Sequence, residues 1–201
     1  MDPAFFLRFG LFFKPDFLPP DVCSQLRAAI DTAPTLAAEI EDKGAEAVNE
    51  KQRKTSMANV DNETHDLVVD RLSALSGALG EHFDLSLERC QRPQFLVYGE
   101  GDFFGAHKDG SDDEDAAQFR KERRISAVTF LNEQSADART DAYGGGNLTF
   151  YGLLNEDPKG EGVGFPLTGQ QGTLVAFPSR MVHGVSPVTH GKRFTITTWF
   201  V

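Results

Sequence analysis

The sequence predicts an α+β fold that is mainly β: two N-terminal helices laid against a C-terminal β-sandwich or barrel. Three observations predict it. Apolar residues recur at helical spacing in two stretches, both before residue 84. From Pro93 onward, short β-rich runs alternate with Gly, Pro and Asp, the punctuation of a sandwich or barrel. Seventeen Phe against one Trp and three Tyr point to a Phe-packed interior. A chain of 201 residues suits a single domain with a substantial core. Residues 1–90 would be its helical support and residues 91–201 its β core. No Pro/Gly/Ser-rich linker divides the halves, and the sandwich needs cover on one face.

Taken in order, residues 5–13 read as a Phe-rich strand. They resemble a signal peptide in apolarity, but Asp2 stands where a positive region belongs, Arg8 splits the run and no small-residue cleavage site follows. Pro19-Pro20-Asp21 is a helix start, and Val22, Leu26, Ala29 and Ile30 carry that helix to about Thr32. Residues 37–54 are charged and lack an apolar face. They predict a helix end and a surface loop, leading to a short strand near 54–60. A second helix runs from near Thr64 to about Phe83, its stripe of Val68, Leu72, Leu75 and Leu79 facing a sheet. Strands follow at 94–98, 103–107, 124–131, 147–151, 163–167, 173–177, 183–188 and 193–201. Residues 111–123 and 133–143 read as mobile surface segments.

The net charge of −10 argues against a nucleic-acid partner, because such a surface needs clustered Lys and Arg. It leaves a protein, peptide or small molecule as substrate. No segment has the apolar length to span a membrane. Cys23 and Cys90 form neither a metal-type pair nor a disulfide framework, so a reducing, cytoplasmic compartment is the simpler reading. Oligomeric state is not legible.

The chemistry is concentrated in His107, Asp109 and, far downstream, His183, with Arg193 ten residues later. On an extended segment, His-x-Asp turns both side chains to one face, and a neighbouring strand can add the third ligand. Two imidazoles and one carboxylate make the facial triad of non-haem Fe(II) oxygenases. The same donors suit zinc or a cupin-type sandwich that binds metal without catalysis, although no His-Glu-x-x-His helix is present. His82-Phe83-Asp84 is a second match, but it ends a helical pattern, where residues two apart do not face each other. His65 and His190 read as surface residues. In the last strand, Arg193, Thr195, Thr197 and Trp199 share one face and Phe194, Ile196 and Phe200 the other. The second face should meet the helices. The first suits a pocket in which an Arg fork and a hydroxyl hold a carboxylate.

Together these residues resemble the Fe(II)- and 2-oxoglutarate-dependent dioxygenases, and within them the prolyl 4-hydroxylase-like group. The resemblance lies in Tyr98-Gly-Glu-Gly101-Asp-Phe-Phe104-Gly-Ala-His107-Lys-Asp109, in Gly144-Gly145-Gly146-Asn-Leu-Thr-Phe and in Gly172-Thr-Leu-Val-Ala-Phe-Pro. It continues through His183-Gly-Val-Ser-Pro-Val to Lys192-Arg193-Phe194-Thr195-Ile196 and Trp199. It covers about residues 91–201 and implies a double-stranded β-helix, or jelly roll. His107, Asp109 and His183 would then bind iron, and Arg193 would pair with the distal carboxylate of 2-oxoglutarate, assisted by Thr195. Tyr98 would hydrogen-bond the co-substrate. Fe(II), 2-oxoglutarate and O2 would hydroxylate an unactivated C–H bond of a prolyl residue in a protein or peptide, or of a free amino acid or other small molecule. Phe104 and Phe130 stand where relatives carry Tyr, and neither can donate a hydrogen bond. Residues 43–53, 111–123 and 133–143 would be the lids, and their acidity favours a basic partner.

Overall fold

The computed structural model describes residues 7–37, 40–42, 45–47, 52–153 and 163–201. Among them the chain is mostly β. Seven strands form a major sheet in the order Phe12–Lys14, Leu174–Pro178, Ile125–Phe130, Arg193–Phe200, Gln94–Tyr98, Ser56–Ala58 and Thr35–Ala37. Five form a minor sheet: Phe165–Leu167, Leu148–Phe150, His183–Val185, Phe103–His107 and Arg53–Lys54. Every pairing in these two sheets is antiparallel.

One face of the major sheet is covered by helices α1 (Pro20–Thr32), α2 (Asn62–Ser73) and α3 (Ser76–Phe83). Leu26 and Ile30 of α1, Val68 and Leu72 of α2, and Leu79 of α3 are buried with Phe194, Ile196 and Phe200. On the other face, Val128, Phe130, Val175 and Phe177 meet Leu148, Phe150 and Leu167 of the minor sheet. The layers are therefore helices, major sheet and minor sheet, as the alternation in the last strand predicts. That strand is paired on both sides. A slip of one residue would turn its apolar set away from the helices, which fixes its register.

Helix α1 starts as its sequence signals, with Pro in the first turn and Asp21 beside the helix N-terminus. Its buried residues Cys23, Leu26 and Ile30 lie on one stripe. Ile30 is fully buried. Ile30→Ala is expected to destabilise the fold by about 2–5 kcal/mol, seen as a lower urea midpoint with an unchanged slope.

Several elements depart from expectation. The second helix is two helices. Asp61 caps the first by accepting from the Thr64 N–H at 2.7 Å. The Leu75 N–H then turns back to the Leu72 carbonyl at 2.9 Å, and the chain restarts at Ser76. Ser73, Ser76 and Gly77 crowd this joint, and Ser and Gly weaken a helix interior. The N-terminal strand is shorter than expected, because Gly10 adopts φ 68 in a turn and pairing begins at Phe12. Residues 5 and 6 lie outside the described residues, as do 38–39, 43–44 and 48–51 of the expected helix end and loop.

Where a helix end and a loop were expected over 37–54, the described parts apart from the turn at Gln52 are strands: the end of Thr35–Ala37, then Ile40–Asp42, Ala45–Ala47 and Arg53–Lys54. A charged stretch without an apolar stripe cannot dock a helix, but an edge strand needs only backbone pairing. The first half of the chain thus contributes strands to both sheets as well as the helices. Residues 111–123 contain a short helix α4 (Gln118–Glu122). Residues 133–143 are not all loop: Glu133–Gln134 and Ala142–Gly145 join Val188–Gly191 in a third, small sheet.

Candidate metal centre and co-substrate pocket

His107 ends one strand of the minor sheet and His183 begins its neighbour. They stand directly opposite in the register, which puts both side chains on one face. Their ring centroids are 4.3 Å apart. The register shifts immediately after His183. There a Cβ on Gly184 would come within 2.8 Å of the Phe104 carbonyl oxygen, so only glycine permits the approach.

Asp109 reaches the site by a different route from the one strand alternation suggests. The strand stops at His107, and Asp109 lies in the turn beyond. Its N–H and that of Gly110 both donate to the Ser179 carbonyl, at 2.9 and 2.8 Å. The Ser126 hydroxyl donates to its carboxylate at 2.7 Å. Held so, its two oxygens lie 3.4 Å from His107 Nε2 and 3.4 Å from His183 Nε2. One ligand atom from each residue falls within 4.8 Å of the others. His82 is not in this cluster and packs edge-on against Phe12.

The protonation pattern suits a metal. His107 Nδ1 lies 2.8 Å from the Gly105 carbonyl and His183 Nδ1 2.9 Å from that of Met181. A carbonyl only accepts, so each Nδ1 carries the proton and each Nε2 presents a lone pair. Burial, reinforced by His107, pulls the His183 pKa down to about 4, so this ring is neutral at pH 7. Burial by itself would raise the pKa of Asp109. His183, His107 and the Ser126 hydroxyl outweigh it and hold the carboxyl well below its ordinary value. Two neutral nitrogens and one carboxylate leave three positions of an octahedral ion open.

Arg193 is 1 % exposed. Its Nη1 donates to Thr195 Oγ1 at 3.1 Å, and its guanidinium lies over Tyr98 and Phe130, 4.9 and 5.3 Å from the ring centroids. Among the described residues its Nε and Nη2 have no hydrogen-bond partner, and neither has the Tyr143 hydroxyl. Tyr143 is fully buried. Burial raises its pKa, and the neighbouring Arg193 charge draws it back. Buried donors left unpaired are costly; Arg193 stands near enough to Tyr143 to act on its hydroxyl, and an anion beside Arg193 would satisfy its donors. Glycine leaves room for these two side chains: a Cβ on Gly169 would fall 2.0 Å from the Tyr143 oxygen, and one on Gly146 3.0 Å from Arg193 Cδ. The residues present therefore fit both a divalent metal and a dicarboxylate beside it.

Triad, Arg193 and Tyr98 line one cavity of about 250 Å³. Phe104 stacks on His107 with centroids 3.5 Å apart. Two further residues escape the sequence reading. Tyr143 falls in a segment taken for a lid, and only its place just before Gly144-Gly145-Gly146 hints at it. Arg53 also falls in a supposed loop, yet it is 6 % exposed and lies over the Phe104 ring. Burial lowers its pKa, while Tyr98 and Asp109 act to raise it.

A centre of this kind, in a β-sandwich, defines the class of mononuclear metal enzymes that activate a substrate at open coordination positions. Comparison with known proteins narrows the class. The sequence profile of the 2OG-Fe(II) oxygenase superfamily matches residues 93–201, and the chain belongs to that superfamily. Its cofactors are Fe(II), 2-oxoglutarate as co-substrate and O2. A PKHD-type hydroxylase of Xanthomonas axonopodis pv. citri is 32% identical over 192 residues, spanning 92% of this chain and 75% of its own. One from Klebsiella pneumoniae is 30% identical over 185 residues, spanning 90% and 75%.

Among solved structures, a Pseudomonas putida prolyl-4-hydroxylase superposes with a TM-score of 0.69 at 25% identity, over 95% of this chain and 91% of that one. A Trichoplax adhaerens prolyl hydroxylase, in complex with a hypoxia inducible factor peptide fragment, gives 0.68 at 17% identity, over 98% and 86%. The second likeness is one of fold alone. Among the described residues, no helix is long and apolar enough to cross a membrane.

Proposed function

We propose that the chain is a hydroxylase of an unactivated C–H bond, with a prolyl residue in a protein or peptide as its target. In this reading residues 1–201 work as one catalytic domain built on a double-stranded β-helix, or jelly roll. His107, Asp109 and His183 hold Fe(II). Arg193, propped by Thr195, takes the distal carboxylate of 2-oxoglutarate, and Tyr98 hydrogen-bonds the co-substrate. The bound iron, with 2-oxoglutarate and O2, supplies the oxidising chemistry that leaves an alcohol, succinate and CO2.

The chain's own residues orient and exclude. Ser126 and the Ser179 carbonyl fix the carboxylate ligand. The Gly105 and Met181 carbonyls fix the imidazole tautomers. Phe104 lines the cavity and Phe130 lies against the Arg193 guanidinium, and neither ring brings a water-binding group. The observation that carries the reading is the pair of facing imidazoles with a buried carboxylate, in one cavity with an arginine whose Nε and Nη2 have no hydrogen-bond partner among the described residues. A non-catalytic metal-binding sandwich would leave that arginine without a task. The free thiols Cys23 and Cys90 suit a reducing, cytoplasmic setting.

Fe(II), 2-oxoglutarate and O2 should yield succinate, and a proline-containing peptide should raise that yield. If a free amino acid stimulates and peptides do not, the small-molecule alternative takes its place. Failure of every such substrate to release succinate would overturn the hydroxylase reading.

Tyr143 enters the proposal as the hydroxyl that makes good the loss at Phe130, since both rings border Gly169 beside Arg193. Tyr143→Phe removes only that oxygen. A hydrogen bond to a charged group is worth about 1.5–3 kcal/mol. The 2-oxoglutarate half-saturation should therefore rise by roughly 10- to 150-fold, with iron affinity unchanged.

A further inference from the structure

His107 owes its direction to an irregularity in its own strand. From His183 to Val185 the neighbouring strand advances two residues, while the strand Phe103–His107 runs back three, from His107 to Phe104. One extra residue of this kind is a β-bulge, and a bulge re-aims the side chains beside it. Residues three apart on a regular strand point to opposite faces. Here the Phe104 and His107 rings instead stack, with centroids 3.5 Å apart and planes 13° apart. Gly184 stands opposite the bulge and makes room for it, since a Cβ there would meet the Gly105 carbonyl group at 3.2 Å.

Two residues from the N-terminal half of the chain hold this bulge. A bulge takes backbone groups out of the ladder, and Gln52 gives them partners. The Gly105 N–H donates to the Gln52 carbonyl at 2.7 Å, and Gln52 Nε2 donates to the Ala106 carbonyl at 3.2 Å. The Gln52 amide lies so close over the bulge that a Cβ on Gly105 would fall 2.8 Å from its Nε2. The Gly105 carbonyl is left to accept from His107 Nδ1 at 2.8 Å, the bond that fixes the tautomer. Arg53 takes the ring. It stands opposite Phe104 in the register, is buried, and its guanidinium lies 4.7 Å from the Phe104 ring centroid. A desolvated guanidinium is attracted to the face of an aromatic ring. Phe104 is thus in contact with both that guanidinium and the metal-binding imidazole.

We propose that Gln52 and Arg53 are positioning residues for His107: Gln52 fixes the bulge that carries the imidazole, and Arg53 fixes the Phe104 ring against which it rests. The inference rests on the reading of His107 as a metal ligand, but one of its two tests needs no metal. Its sign is distinctive. Arg53 and the triad line one cavity, so by charge alone this cation opposes a divalent ion there, and its removal would tighten metal binding. As a clamp it favours the ion, and its removal weakens binding. The partners that orient a metal ligand are worth about 10- to 100-fold in metal affinity.

The metal-free protein is titrated with Co(II), whose visible absorption reports the arrangement of its ligands. Arg53→Leu should raise the Co(II) dissociation constant by roughly 10- to 100-fold. Gln52→Ala keeps the main-chain bond to Gly105 and should raise it by roughly tenfold. Gln52 is only half-buried, so this variant covers the case in which Arg53→Leu fails to fold. Phe104→Leu should weaken Co(II) binding too. Adding Arg53→Leu to it should cost little more, because the effect of Arg53 passes through that ring. Imidazole nitrogen resonances of the metal-free protein are the second test. Wild-type His107 should carry its proton on Nδ1, and the Arg53 and Gln52 variants should show a mixture of the two tautomers. Wild-type protein that takes up no Co(II) would refute the metal-ligand reading, and the nitrogen spectra would then decide the clamp alone: mixed tautomers in the variants sustain it, unchanged ones overturn it. Where the wild type does bind Co(II), equal or tighter binding by the folded variants overturns the inference, as do fully additive losses at positions 53 and 104.

Discussion

Asp109→Ala is expected to abolish Fe(II) retention and succinate formation together while leaving a folded protein. The carboxylate supplies the only anionic donor of the triad. Without it, two neutral imidazoles remain, and the ion loses both a ligand and its charge partner. Loss of an outer-sphere partner of a metal ligand costs about 10- to 100-fold in affinity or activity, so loss of the ligand itself should exceed ~100-fold.

Ser126→Ala gives the graded control. It removes the 2.7 Å hydrogen bond to the carboxylate but leaves the ligand, and it should fall within that 10- to 100-fold range. The fold should survive Asp109→Ala, because the Ser179 carbonyl still receives the backbone N–H groups of residues 109 and 110. Iron content after anaerobic loading, thermal midpoint and succinate yield separate the three quantities. Unchanged iron retention in the Asp109 variant would mean that the triad is not the metal site.

What was readable in advance follows from the kind of interaction involved. The last strand declared both of its faces, because strand alternation is a local rule and each face meets one layer. Phe194, Ile196 and Phe200 do meet the helices. His107 and His183 were readable as candidates, but their opposition across two strands is a register, and register is set by pairing across 76 positions of chain. Asp109 was named for a reason that only half holds. Its placement depends on a carbonyl at Ser179 and a hydroxyl at Ser126, neither of which the His-x-Asp spacing mentions. Tyr143 and Arg53 were hidden because both lie in charged or polar stretches that contribute short strands. A strand of two to four residues has no period long enough to detect. The departure at Phe130 was visible, whereas a hydroxyl arriving from another strand is a tertiary fact.

Arg193→Ala is expected to separate co-substrate binding from metal binding. The guanidinium is buried, gives one hydrogen bond to Thr195 and leaves Nε and Nη2 for a ligand. Removing it would strand a carboxylate in a poorly hydrated pocket against Phe130 and the Tyr143 hydroxyl. Truncating one partner of a buried charged pair costs about 2–5 kcal/mol, roughly a 30- to 5,000-fold rise in the 2-oxoglutarate half-saturation. Iron retention should stay near normal, because Arg193 supplies none of the three ligand atoms. Packing is the competing explanation, since the same side chain fills space over two aromatic rings. Arg193→Lys distinguishes the two: it keeps a charge and most of the apolar stem but loses the fork. If the fork matters, the lysine variant should stay well short of wild-type affinity while matching its thermal midpoint. If only volume and charge matter, lysine should restore both. A half-saturation that none of these substitutions moves would remove Arg193 from the co-substrate site and leave its unpaired buried donors unexplained.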